Sequence, residues 1–304
     1  MKVTPQQSIK VASAETTSVK PATVVPPAKT EQVKPPGTSI KVDQNQKILR
    51  RLFAQVGISE PSAIGDEVDL LKHTSRREHI LAANRLKNLQ KVFEHALEVN
   101  IESENSEALD PDWFFSFAKF AEDIHSPAMQ SLWGKIIAVE LAQPGSFSLR
   151  TLALLKQLTQ RDAKLFSKIA SVASRKKQDA TPLLLVGYYQ KPTFFGLFTG
   201  PSNPHLNLSN FGITYPDLLA LIDMGLIFAS EIETGELDPD RTVQWRCGDV
   251  RFDLTPKRGS TALIYYKFTS VGSELFRLVN KKHHADYTEQ LCELLSNAFT
   301  VVLH

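Results

Sequence analysis

The residues that could do chemistry in this chain are few, and their spacing argues against most of the chemistry. Four histidines, His73, His79, His95 and His125, fall within one stretch. Zinc-binding helices carry two imidazoles four residues apart on one face. Here His73 and His79 stand six apart, and His79 and His95 sixteen, so no metal site is expected. Glu122 and Asp123 are adjacent, and Asp238 and Asp240 share a polar turn. General acid–base catalysis needs two carboxylates converging on one cleft, which such spacing does not provide. Ser146 and Ser148 flank Phe147 beside Gly145, but there is no GxSxG elbow. GxGxxG and GxxxxGK(S/T) are also missing. No catalytic residue, metal ligand or cofactor is assigned, and the chain is read as a non-enzyme. An enzyme of unrecognised class stays as a third reading, because triads assemble across a sequence.

The candidate contacts are of two kinds. Basic pairs and triplets occur at Arg175-Lys176-Lys177, at Lys257-Arg258 and at Lys281-Lys282, the last followed by His283-His284. Each is a candidate anion or nucleic-acid contact, and each also has a plain explanation: a helix C-terminus, whose dipole favours cations, or a solvated turn. The second kind is aromatic. Phe195 and Phe198 belong to the densest aromatic run outside the helices, either a ribbon tucked on the core or an exposed partner patch. Tyr215, Asp217 and Asp223 lie on a short helix, Thr214 to Met224, that contains no Lys or Arg. A polar, aromatic-centred helix of that sort suits contact with another protein.

The elements that must position these residues are largely helical. The chain has 304 residues, 42% of them hydrophobic, which suggests one large domain or two small ones. Residues 1–45, with prolines at 21, 26, 27, 35 and 36 and no aromatic residue, read as a disordered Pro/Lys/Thr-rich tail. Residues 46–178 read as an α-helical domain. Ile48, Leu52 and Val56 mark its first helix, a second runs from Pro61 to Leu71, and the longest covers about 75–99. Ala82, Leu86, Leu89, Phe93 and Ala96 form one stripe on that helix, expected to pack in the domain or to serve as a self-association seam. Trp113, Phe117 and Phe120, then Leu132, Trp133 and Ile136, then Leu165, Phe166 and Ile169 line three further helices. Thr159 with Asp162 makes a capping-box start, and Arg175-Lys176-Lys177 closes that last helix. Residues 179–283 read as a smaller α+β domain, with strands at 183–186, 243–254 and 262–269. Residues 284–304 read as a C-terminal helix. The fold class expected is mainly α with a smaller α+β part.

Charge and cysteine content narrow the setting. The net charge of +2 divides as +3 over residues 1–45, +1 over 46–175 and −2 over 176–304, so no folded region is basic enough to be an obvious nucleic-acid footprint. Cys247 and Cys292 sit in no CxxC pattern, which fits a reducing cytoplasm. No stretch approaches the ~20 apolar residues of a membrane span, and no secretory signal is read at the N-terminus.

Two stretches resemble known families. Leu132 to Phe166, LWGKIIAVELAQPGSFSLRTLALLKQLTQRDAKLF, resembles a bacterial family known only as a domain of unknown function. That family is similar in turn to the abortive-infection alpha proteins implicated in phage resistance. The likeness covers roughly residues 75–280, is most specific at PGSFSxRTLxLLK, and implies no catalytic residues. Phe211-Gly212-Ile213-Thr214, then a helix ending at Met224-Gly225, then two strands, resembles a winged helix. The would-be recognition helix carries Asp217 and Asp223 where a DNA reader needs donors. The leading expectation is a non-enzymatic interaction or regulatory protein, placed by the family likeness in a phage response. A winged-helix nucleic-acid regulator is the alternative. Its partner is expected to be another protein or a second copy bound through the 75–99 helix.

Overall fold

The computed structural model describes residues 36–58, 65, 67–99, 108–191, 203–279 and 284–304, with the backbone alone for 36–43 and 180. The chain divides into two compact units, Met1–Pro61 and Ser62–His304. In the first unit, α1 spans Pro36–Gln55. It therefore begins inside the stretch expected to be a tail. Pro36 opens it, where a fixed φ and a missing N–H do no harm, and the residues from Gln44 onward are mostly good helix formers. Residues 1–35 lie outside the described residues. Ile48, Leu49, Leu52 and Phe53 of α1 are all exposed.

In the second unit, α2 (Glu67–Leu97) is one helix where two were expected. No breaker stands between Leu71 and Ser75, and the Thr74 hydroxyl donates to the Leu70 carbonyl one turn back at 2.9 Å. The packing face also differs from the expected stripe. Asn88 and Val92 are buried, while Ala82, Leu86 and Phe93 point outward. The cause is a polar knot. The Asn88 amide donates to the Glu122 carbonyl at 2.8 Å, lies 3.3 Å from Nδ1 of His125, and accepts from Gln130 at 3.2 Å. Turning the apolar stripe inward would strip those groups of their partners.

Helix α4 (Pro127–Ala142) crosses α2 at close range. A Cβ on Gly134 would stand 2.7 Å from the His95 Cβ and 2.9 Å from the Ala96 nitrogen, so only glycine fits the crossing. Around it lie α3 (Pro111–Ala121), α5 (Leu149–Gln157) and α6 (Gln160–Ser171). Their starts follow the sequence signals: Asp110 accepts from the Asp112 N–H, and Thr159 and Asp162 close a reciprocal box. Trp113 stacks on Phe117 at 5.3 Å, and Phe117 meets the fully buried Trp133 at the same distance.

Helix α6 ends at Ser171, so Arg175-Lys176-Lys177 does not form its last turn. Instead β1 (Ser174–Lys176) pairs with both β2 (Asp179–Gln190) and β4 (Val243–Cys247), and these ladders take up its backbone groups on both sides. The remaining elements are α7 (Tyr215–Asp223), β3 (Ile227–Glu233), β5 (Val250–Pro256), β6 (Thr261–Phe268), α8 (Ser270–Leu278), α9 (Ala285–Ser296) and β7 (Phe299–Leu303). Among the described residues, seven strands join one antiparallel sheet in the order β3-β6-β2-β1-β4-β5-β7. The unit is therefore α+β rather than mainly α. The helix expected for 284–304 stops at Ser296, and the β-branched run Thr300-Val301-Val302 pairs with β5 instead.

The boundary expected at 178/179 falls between two paired strands, β1 and β2. One buried cluster runs from Val92 through Leu184 to Phe299. Across β1, β4, β5 and β7 the sheet has two distinct faces. Trp245, Cys247, Phe252, Leu254 and Phe299 are buried on the inner one, against which α9 packs. Gln244, Arg246, Arg251, Thr300 and Val302, which alternate with them, are exposed on the open one.

Candidate functional site

Most of the residues singled out for catalysis have structural work. His125 belongs to the knot on Asn88. Asp123 is bonded by Lys156 at 2.7 Å and Arg85 at 3.3 Å, and the Lys156 bond leads in holding its carboxyl below the usual range. Asp238 accepts from the Asp240 N–H within their turn. The PGSFS loop is held by two acids that are distant in sequence. Buried Glu140 accepts from the N–H groups of Gly145 and Phe147, and Glu274 of α8 accepts from both the N–H and the hydroxyl of Ser148. The indole N–H of Trp113 donates to the Phe147 carbonyl at 2.7 Å. Cys247 and Cys292 are free and buried, and burial pushes both thiols up, Cys292 to about 11. Such thiols are poor nucleophiles. Among the described residues, no group of three or more His, Cys, Asp or Glu is placed to hold a metal. No helix among them is long and apolar enough to cross a membrane.

Helix α7 presents Tyr215, 68% exposed, and an exposed Asp223. Asp217 is committed elsewhere: it accepts from the N–H and the hydroxyl of Thr214 at 2.9 and 2.8 Å, completing the helix's capping box. Those bonds hold its carboxyl below the ordinary range. Phe195 and Phe198 lie outside the described residues. Beside Tyr215 is a cavity of about 330 Å³ that sequence reasoning missed, lined in part by His205, Glu231 and Tyr266. His205 Nε2 stands 3.3 Å from Glu231, and burial together with Glu231 pushes the Tyr266 hydroxyl up to about 12. These residues come from three separate elements, so no linear spacing could have joined them.

Among the described residues, Lys257-Arg258 and Arg175-Lys176-Lys177 do not line one cleft. Lys257 donates to the Ser296 carbonyl at the end of α9, and Arg258 donates to the Gln190 side chain and the Lys191 carbonyl. Lys281 and Lys282 lie outside the described residues. Arg175, Lys176 and Lys177 instead meet two arginines from a distant part of the chain, Arg246 and Arg251. Arg175 faces Arg246 across the β1–β4 ladder, and Arg246 faces Arg251 across β4–β5. Directly opposed residues share a sheet face, so three arginines on adjacent strands project from one face as a row. Together they border a cleft of about 720 Å³.

Within that cleft, the Arg175 guanidinium lies 5.4 Å from the centre of the Phe276 ring, half-buried, and burial first and Arg246 second lower its pKa. Lys176 sits 5.4 Å over the ring of Trp245. Arg246 donates to the Gly248 carbonyl and stands 3.6 Å from Asp249. Arg251 makes no ion pair or side-chain hydrogen bond among the described residues.

The outward stripe of α2 is the largest departure from a polar surface in this helix. Leu86 is 69%, Phe93 61% and Leu97 69% exposed, with Leu71 and Ala82 on the same line. Phe114 and Phe115 of α3 are exposed as well.

The profile of one protein family, described as "Protein of unknown function (DUF2806)", matches residues 72–292. No curated protein and no solved structure matches the chain.

Proposed function

The chain belongs to the DUF2806 family, and we propose that it is a non-enzymatic interaction protein that pairs with a second copy of itself through α2. The observation that supports this is the outward stripe. Ala82, Leu86, Phe93 and Leu97 recur at spacings of four, seven and four, the period of a helix–helix seam, on the side of α2 turned away from α4. Soluble surfaces seldom leave large apolar side chains aligned and bare. A matching helix from a second copy would cover them and leave the charged flanks, such as the Lys91–Glu94 pair, in water. Two buried, unpaired cysteines suit a cytoplasmic setting.

Sedimentation equilibrium tests this. A dimer is expected at micromolar concentration, and the pair Leu86→Glu and Phe93→Glu should give a folded monomer. A monomeric wild type, or a double variant that still dimerises, overturns the reading.

The winged-helix reading has support from the order of elements. Strand β2, helix α7 and strands β3 and β6 follow one another with the β4–β5 hairpin inserted, and in the sheet they stand as β2-β6-β3. Its α7 face, with Tyr215 and Leu219 exposed and no cation, favours a protein contact over the DNA major groove. Leu132 to Phe166 resembles a family of unknown function that is similar in turn to the abortive-infection alpha proteins, and this two-step likeness is what supports a phage response as the setting. Phage plating on the native host with and without the gene tests it, and equal efficiencies across diverse phages would remove it.

A further inference from the structure

We infer that the cleft beside β1 is a binding site for a compact ligand carrying two or more linked phosphate groups, held by Arg175, Arg246 and Arg251. This inference is independent of pairing through α2.

The argument starts from an unfavourable arrangement. Like charges directly opposite one another on a sheet destabilise it, and here the arrangement occurs twice in succession, Arg175 against Arg246 and Arg246 against Arg251. The surroundings cancel it only in part, at Arg246, which donates to the Gly248 carbonyl. Arg175, Lys176, Lys177, Arg246 and Arg251 border the cleft, against the carboxylates of Asp179 and Asp253. Asp179 accepts from the Thr181 N–H, and Asp253 lies 3.2 Å from His304, so neither is directed at an arginine. Asp249 reaches Arg246 at 3.6 Å and is itself well exposed. A protein carries such a row at a cost in stability, and an anion in the cleft would repay it.

The chemistry of the anion follows from the donors. Guanidinium forks bind phosphate oxygens two at a time, in a fixed plane. Adjacent strands stand ~4.8 Å apart, so the row presents one fork per strand along about 10 Å. A chain of phosphates laid across the strands meets each fork in turn, whereas a single orthophosphate satisfies one or two. Arg175 is the fixed end of the row. Its guanidinium is already placed over Phe276, so less ordering entropy is lost when a ligand arrives. The cleft, at about 720 Å³, falls within the range of small-molecule sites.

A long nucleic acid fits less well. Single-strand binders offer aromatic faces to successive bases. The open face carries Gln244, Arg246, Arg251, Asp253, Thr300 and Val302; of the two rings that border the cleft, the His304 imidazole is held 3.2 Å from Asp253 and Trp245 is only 2% exposed. Trp245 is buried on the inner face, with Lys176 over its ring.

The test is calorimetric titration of the full chain at ~150 mM salt with sodium tripolyphosphate, ATP, orthophosphate and a single-stranded oligonucleotide. Tripolyphosphate should saturate one site per chain, and orthophosphate should bind at least about tenfold more weakly. Arg246→Gln and Arg251→Gln should each weaken tripolyphosphate by about tenfold or more. Both residues are exposed, so both variants should fold. Arg246→Gln also gives up its bond to the Gly248 carbonyl and should melt no later than wild type, whereas Arg251→Gln gives up no such bond and should raise the melting temperature of the ligand-free protein by relieving the row. That combination of higher stability and lost affinity is not expected of arginines with a structural role. ATP binding equal to tripolyphosphate identifies the phosphate chain alone as the recognised group. Tighter ATP binding identifies a nucleotide. Absence of saturable tripolyphosphate binding overturns the inference, as does unchanged affinity in both variants. An oligonucleotide that binds more tightly than tripolyphosphate through the same arginines would replace the compact ligand with an extended polyanion.

Discussion

The Glu140 carboxylate accepts the backbone N–H of Phe147 at 2.8 Å with one oxygen and that of Gly145 at 2.6 Å with the other. Glu140 is buried on α4, and through these two bonds it closes the PGSFS loop over the helix that carries it. The loop in turn accepts the indole N–H of Trp113 and donates to Glu274 of α8, so one carboxylate orders the junction between helices and sheet. Glu140→Ala removes an acceptor from two backbone donors, each costing ~1–3 kcal/mol if left unpaired. A loss of about 3 kcal/mol is expected in urea unfolding. Glu140→Gln keeps one acceptor and should lose less. Equal, small losses in both would show that the loop is held by Trp113 and Glu274 alone.

That loop illustrates what could be read from the sequence. Its motif was visible as PGSFSxRT, but its partners, Glu140 and Glu274, are set by folding and not by spacing. Helix starts were legible because caps are local: Asp110 and Thr159 sit where their hydrogen bonds require. The outward turn of Leu86 and Phe93 was not, because hydrophobic spacing cannot show that Asn88 has two polar partners on the α3–α4 connection, Glu122 and His125, and a third, Gln130, in α4. Strand β1 was hidden by its own charges, since Arg175-Lys176 after a helix satisfies the dipole as well as it fits a ladder. The arginine row was illegible for a related reason. Arg175 and Arg246 are joined by register alone, across a sheet whose order is not the order of the chain. Strand β7 is hidden because Ala298, Phe299 and Val302 continue the apolar spacing of Leu291 and Leu295 past the end of α9 at Ser296.

The α2–α4 crossing supplies a second test. Trp133 is fully buried against Phe117 and Phe120, and Trp133→Ala should cost about 3–5 kcal/mol. Its neighbour Gly134 should be sensitive in the opposite sense, to addition. Gly134→Ala would push a methyl group into the His95–Ala96 backbone, and a loss of about 1–3 kcal/mol is expected from overpacking. Chemical denaturation measures both. A neutral Gly134→Ala would mean that α2 can slide away from α4 without penalty.

The two capping boxes predict a sensitivity to acid. Bonds from the Thr214 N–H and hydroxyl hold Asp217 below the ordinary carboxyl range, and bonds from the Thr159 hydroxyl and N–H do the same for Asp162. A carboxyl whose pKa is depressed on folding contributes its full stability above the unfolded value, ~3.9, and loses it as pH falls through the folded value. Wild-type stability should therefore decline below about pH 4 more steeply than that of the double variant Asp162→Asn and Asp217→Asn. At neutral pH the double variant should be the less stable of the two. Parallel curves through the acid range would show that neither box titrates with folding.

The remaining basic pair separates structural cations from binding ones. The Lys257 ammonium donates to the Ser296 carbonyl at 2.7 Å, and its backbone N–H donates to Ala298 at 2.9 Å, so this lysine closes the C-terminal end of α9. Arg258 donates to Gln190 Oε1 at 2.9 Å, and Gln190 in turn donates to Thr261, which fixes the turn between β5 and β6. Lys257→Met leaves a helix-end carbonyl without its cation and should cost about 0.5–1 kcal/mol. Arg258→Ala should cost about 1–2 kcal/mol, because Gln190 and the Lys191 carbonyl lose a charged donor. Neither residue borders the arginine cleft, so both variants should bind tripolyphosphate as wild type does while melting earlier. This is the reverse of the pattern expected for Arg251→Gln, which should melt later and bind less; Arg246→Gln should bind less without melting later, because it also loses the Gly248 bond. Thermal melts with and without tripolyphosphate on the four variants measure both quantities at once. A loss of affinity in Lys257→Met comparable to that in Arg251→Gln would show that anion binding follows the overall charge of this end of the sheet and not the row of three arginines.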